Sequence, residues 1–173
     1  ILLGPQYGAI LGALFGLTSL INNTVVPAVT SFTFSPFIPL PGTTHGTPVA
    51  LLICFLPRIL VGIFPYYVFQ GMNKLLKGRD KQIGALAVSG VAGALTNTAF
   101  VMGLIYFLFR DAYAAAKGIA PDAVPAIIMG IVSFNGVIEA IAAGIIVAAV
   151  GKVLLQFVQT GKKSKGGKAA PEK

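Results

Sequence analysis

Arg58 and Glu139 each stand alone in a long apolar stretch, Arg58 within residues 47–72 and Glu139 within residues 124–157. An ionisable side chain in hydrocarbon costs roughly 2.5 kcal/mol or more, so such residues face a bundle interior or a watery cavity and mark sites. Asn97 and Asn135 sit at comparable depth in two of the same stretches. With a helical rise of ~1.5 Å per residue, Arg58 lies roughly 15 Å in from its outer end, Asn97 about 18 Å and Asn135 about 16 Å. Three segments thus place polar groups at nearly one level. Glu139 falls one turn deeper than Asn135 on the same face, because i and i+4 are neighbours. Ser89, Gly93, Thr96 and Asn97 share a face of the preceding segment by the same spacing.

The groups define the chemistry. A guanidinium offers five donors in a fixed fork and grips a carboxylate or phosphate with two parallel bonds. Asn97 and Asn135 can each donate and accept, which suits hydroxyls and amides. Glu139 could accept from a ligand, carry a proton, or neutralise Arg58 in a pair bridging two helices, as buried charges require. Arg58, Asn97, Asn135, Glu139 and Thr96 are therefore the candidate binding set. Catalysis finds no constellation: His45 is the single histidine, and no carboxylate pair, Ser–His–Asp set or phosphate-cradling Gly-rich loop with Lys occurs. No cofactor and no metal is expected. Cys54 is the single cysteine, which excludes an intrachain disulfide or a cysteine-cluster metal site. It reads as a small buried hydrophobe.

Hydrophobic residues make up 55% of the chain and charged residues 10%, with a mean hydropathy of +0.85. A soluble domain carries about 25% charged residues, so this chain lacks the polar surface to face water all round. The apolar runs are unbroken, unlike the alternating pattern of about ten residues in membrane β-barrel strands. The class is an all-α polytopic membrane protein. Net charge is +8, but the cations gather in residues 74–81 and in the tail 162–173. Such juxtamembrane clusters set orientation and meet lipid rather than nucleic acid.

The elements that must position the polar residues follow. Helices are expected over about 4–21, 47–72, 83–109 and 124–157, forming one transmembrane domain over residues 1–159. Residues 160–173 form a basic, Lys/Gly-rich cytoplasmic tail expected to lack fixed structure. Pro5 suits a first helical turn and Asn22-Asn23 a helix end; Thr47-Pro48 reads as an N-cap and first position. Pro57 and Pro65 should bend the second helix, and the fourth must tilt or kink to fit a bilayer. Gly8, Gly12 and Gly16 form a smooth stripe that lets another helix approach closely, either a docking partner or a neighbour within the bundle. Residues 23–46 form a long loop rich in Pro and Phe, and residues 110–123 a second one. Loops of this length are often lids; Phe34, Phe37 and His45 are the expected lid residues. Asn22-Asn23-Thr24 matches a glycosylation sequon but carries little weight at three residues. With the basic loop and the tail cytoplasmic, both long loops meet on the outer side. The opening Ile1-Leu2-Leu3-Gly4-Pro5 has no initiator Met or signal peptide and reads as the end of an earlier apolar segment, so further N-terminal helices are expected.

Leu2-Leu3-Gly4-Pro5-Gln6-Tyr7-Gly8-Ala9-Ile10-Leu11-Gly12, the Phe/Pro-rich outer loop and Pro57-Arg58-Ile59-Leu60-Val61-Gly62 resemble the S components of energy-coupling factor (ECF) vitamin transporters. Phe34-Ser35-Pro36-Phe37-Ile38-Pro39 with Pro57-Arg58 most resembles the pantothenate S component. The resemblance implies a six-helix bundle, of which about four helices lie in this sequence. It implies a subunit of the bacterial cell membrane that captures a vitamin at the outer face. That subunit then topples against a transmembrane scaffold T protein driven by two ATP-binding cassette ATPases, and is itself no enzyme. S components for hydroxymethylpyrimidine, folate and riboflavin share the framework. Pantothenate suits the residues: a carboxylate for Arg58, hydroxyls and an amide for Asn97 and Asn135. Hydroxymethylpyrimidine would leave Arg58 without an anion. A stand-alone secondary transporter would need its own gates and an internal repeat, and none is visible.

Overall fold

The computed structural model describes residues 1–75 and 79–166, with side chains described except at 79–80 and 158–166. It is all-helical among the described residues: α1 (Pro5–Val25), α2 (Val49–Leu75), α3 (Arg79–Lys117) and α4 (Val124–Gly166), with short 3-10 turns at Ser31–Thr33 and Pro121–Ala123. All four helices are long and apolar enough to cross a membrane, and the chain is a multi-pass membrane protein. Outward faces stay apolar, with Phe107, Phe134 and Ile145 among the exposed large side chains, as lipid contact requires.

The helices pack in chain order, α1 on α2, α2 on α3 and α3 on α4. Glycines set the closest approaches. A Cβ at Gly8 would fall on the carbonyl of Gly62, one at Gly12 on the carbonyl of Arg58, and one at Gly16 against the Phe55 ring. The stripe therefore faces α2. Of the two readings its spacing left open, the geometry favours packing within the bundle over a free docking face. Cys54, buried beside it, donates Sγ–H to the Gly16 carbonyl at 3.2 Å. On the next interface, Pro65 of α2 abuts Gly93 of α3, while Gly90 of α3 lies against the Ala143 backbone of α4.

Two apolar cores sit at opposite ends. One gathers Phe32, Ile53, Ile105, Phe109, Tyr113, Val124 and Ile128, with Phe34, Ile38 and Ile119 against it. It ties the 26–48 loop to the end of α3 and the start of α4, so the two connections share one end. The other gathers Phe69, Ala85 and Leu86.

Helix ends run past the expected ones, for physical reasons. α1 continues through Asn22-Asn23 because Asn23 and Thr24 turn inward and donate to the carbonyls of Ser19 and Leu20 four residues back. The expected loop at residues 110–123 is mostly helix. Phe109 breaks the helical geometry (φ −134°, ψ 21°), and the Ala-rich turn beyond it, with Tyr113 and Ala114 buried, carries α3 to Lys117. Gly118 at φ 64° ends it: Ile119 N–H donates to the Ala114 carbonyl and Gly118 N–H to that of Ala115, the six-to-one and five-to-two bonds of a glycine C-cap. α4 runs beyond 157 to Gly166, taking up the first part of the segment expected to be unstructured. Residues 76–78 of the basic loop and 167–173 of the tail lie outside the described residues.

Candidate functional site

Arg58 is 8% exposed, and its surroundings follow from its neighbour in sequence. Pro57 lies inside α2 and has no N–H, so the carbonyl four residues earlier, Ile53, loses its helical donor. Arg58 Nη1 supplies one, donating to Ile53 O at 2.9 Å. Nη2 lies 3.5 Å from Ser19 Oγ of α1. The guanidinium carbon sits 4.9 Å from the Phe34 ring centroid and 5.8 Å from that of Phe15, a cation–π arrangement with the 26–48 loop on one side and α1 on the other. Nε is buried without a hydrogen-bond partner among the described residues.

Arg58 lines a cavity of about 460 Å³ together with Gly8, Gly12 and Phe15 of α1, Val61 and Pro65 of α2, Gly93 and Asn97 of α3, and Ala143 and Val147 of α4. The volume is in the range of roughly 300–1,000 Å³ usual for small-molecule sites. Asn97 Oδ1 is likewise buried without a partner among the described residues. Two residues that line the cavity thus each keep one buried polar atom unpartnered among the described residues. Leaving either unmet costs ~1–3 kcal/mol. A second, apolar cavity of about 330 Å³ adjoins it, sharing Ile1, Gly8, Leu11 and Val147, and reaches Gly151 and Leu154.

The structure brings Arg58 and Asn97 together and leaves the remaining candidates apart. Asn135, Glu139, Ala143 and Val147 follow at intervals of four along α4; the latter two line the cavity, whereas Asn135 and Glu139 are exposed. Glu139 accepts from Thr98 Oγ1 of α3 at 3.2 Å, and no ion pair joins it to Arg58 among the described residues. Thr96 turns its hydroxyl back to the Ala92 carbonyl at 2.7 Å. In the 26–48 loop Phe34 reaches Arg58, but Phe37 is 71% exposed. His45 is exposed, and its carbonyl, not its ring, closes the local turn by accepting from Leu40 N–H and Thr43 Oγ1.

Phe15 and Ser19 were not legible as site residues. They are an i, i+4 pair on α1, and a lone serine in an apolar helix was the available signal. Asn23, set aside with the sequon, is the hub of a polar cluster. Its Nδ2 donates to Ser19 O at 2.8 Å, and its Oδ1 accepts from Ser31 Oγ at 2.8 Å.

A sequence profile of the family described as ECF transporter, substrate-specific component, matches residues 1–151. The chain is 38% identical over 147 residues to the pantothenic acid transporter PanT of Lactococcus lactis subsp. cremoris, covering 82% of this chain and 71% of that protein. It is 31% identical over 163 residues to the pantothenate transporter PanT of Leuconostoc mesenteroides subsp. mesenteroides, covering 92% of this chain and 71% of that protein. No solved structure matches the chain. Four stacked membrane helices around a small-molecule cavity accord with that match, and this chain belongs to the family of substrate-specific components of ECF transporters.

Proposed function

We propose that this chain captures pantothenate in the cavity between Arg58 and Asn97 and delivers it to the cell through an ATP-driven partner complex. The observation that carries the reading is a buried guanidinium lining a cavity that Asn97 also lines, with Nε of the one and Oδ1 of the other left without hydrogen-bond partners among the described residues. Pantothenate supplies a carboxylate for the first and hydroxyl and amide N–H groups for the second. Both relatives carry pantothenate in their names. The 26–48 loop, with Phe34 over Arg58, lies on the outer side in this reading, and the C-terminus is cytoplasmic. Asn135 and Glu139, on the α4 row that leads to Ala143 and Val147, join the ligand contacts in this reading only if the bundle closes around it.

Transport is assigned to a transmembrane scaffold T protein and two ATP-binding cassette ATPases, since the sequence holds no phosphate-cradling loop of its own. Titrating the purified protein with pantothenate, hydroxymethylpyrimidine, folate and riboflavin tests the ligand: pantothenate should bind and the others should not. Reconstitution in liposomes tests the rest, with uptake expected only when the partners and ATP are present. Accumulation by the chain alone would replace this reading with a solitary transporter.

A further inference from the structure

Asn23 bridges Ser19, which borders Arg58, and Ser31, which opens the turn that leads to Phe34. On the α1 side its Nδ2 donates to the Ser19 carbonyl at 2.8 Å and lies 3.5 Å from Ser19 Oγ, the hydroxyl beside Arg58 Nη2. On the loop side its Oδ1 accepts from Ser31 Oγ at 2.8 Å, and that same hydroxyl accepts from Ala28 N–H at 2.9 Å. Every polarity in the chain is consistent: the Ser19 carbonyl can only accept, which fixes the amide orientation and leaves Oδ1 for the serine hydroxyl. Ser31 opens the buried 3-10 turn Ser31–Thr33, and Phe34, bonded through its N–H to Ser31 O, follows directly and lies over the guanidinium. A parallel link from the next residue, Thr24 Oγ1 to Ser35 Oγ at 2.7 Å, holds the far side of the same turn.

We infer that Asn23 is a positioning residue for anion binding: it fixes the Ser31–Phe34 turn of the outer loop to α1, so that Phe34 and Ser19 orient the Arg58 guanidinium toward the ligand's carboxylate. The inference rests on the assignment of Arg58 to that carboxylate. Nη1 is committed to the Ile53 carbonyl, so the edge left for a two-point grip is the one formed by Nε and Nη2, and Ser19 borders it. Loss of the Asn23 amide frees Ser19 Oγ and the Ser31 side of the turn together, leaving the Thr24–Ser35 link to hold the far side, and the Nη2 edge of the guanidinium is less firmly placed.

Pantothenate and the analogue in which its carboxylate is replaced by a hydroxymethyl group are titrated calorimetrically into the wild-type chain, Asn23→Ala, Arg58→Ala and the double variant. Asn23→Ala should weaken pantothenate about five- to tenfold, the scale of one or two buried hydrogen bonds, and leave the analogue unchanged. On the Arg58→Ala background it should add nothing, since coupled residues fail to add. Equal losses for both compounds, or full additivity with Arg58→Ala, would make Asn23 a structural strut and overturn the inference while leaving the Arg58 assignment intact. Wild-type affinity in Arg58→Ala would instead sink that assignment and the inference with it. If Asn23→Ala does not fold, Ser31→Ala removes only the loop-side bond and is judged by the same two comparisons.

Discussion

Arg58 Nη1 donates to the Ile53 carbonyl at 2.9 Å, the one acceptor that Pro57 leaves without a donor in its own helix. The proline and the arginine therefore act as a unit. Pro57 opens an acceptor inside a membrane helix, where an unmet carbonyl costs several kcal/mol, and its neighbour fills it. The side chain is thereby bent back along α2, with Nε and Nη2 left for other partners.

Replacing Pro57 with Ala should restore the main-chain donor to Ile53 and set it in competition with Arg58. Pantothenate affinity is expected to fall about fivefold, near 1 kcal/mol, the net worth of one orienting hydrogen bond. The thermal midpoint should hold or rise, because a proline inside a helix costs ~3 kcal/mol. Calorimetric titration and a melt of the same sample check both.

Arg58→Ala should weaken pantothenate by ~2 kcal/mol or more, the scale of a lost charge-assisted bond. Arg58→Lys should recover only part of it, because one ammonium cannot serve the Ile53 carbonyl and a carboxylate with a planar fork. An affinity series on folded variants is the measurement.

Gly12→Ala and Gly103→Ala make the same chemical change with opposite expected signs. At Gly12 the new Cβ meets the Arg58 carbonyl, whereas Gly103 has nothing within reach. The first should destabilise by ~1–3 kcal/mol and weaken binding by shifting Arg58; the second should stabilise by up to ~1 kcal/mol through helix propensity. Unfolding in detergent, followed by titration, separates them. A larger Gly12→Leu change should abolish binding, not spare it as a docking role would require.

Amide exchange in residues 26–48 should slow on ligand binding, since Phe34 covers Arg58. Residues 118–123 should change little. Arg110 Nε donates to the Pro121 carbonyl at 2.9 Å and the Gly118 cap closes α3, so that connection is held before any ligand arrives. Peptide-resolved exchange with and without pantothenate reads both segments.

The class of this protein was legible in its sequence because hydrocarbon is an unforgiving solvent. Few charges and four long apolar runs leave membrane helices as the solution, and the isolated Arg58 pointed to a cavity because a cation there needs a reason. Asn97 was placed beside it by helical rise alone. Tertiary packing decided the rest. Spacing along a helix does not fix how much of a face its neighbours cover, so Asn135 and Glu139 are exposed on the α4 row whose next members, Ala143 and Val147, line the cavity, and Glu139 is met by Thr98. Spacing showed that Gly8, Gly12 and Gly16 make one smooth face, but only the structure showed that α2 covers it. Asn23 and Ser19 were hidden for a related reason: hydrogen bonds between a helix end and a loop depend on how the loop folds back. That fold is set by burial of Phe32 and Phe34 against α2 and α3, which no local pattern encodes.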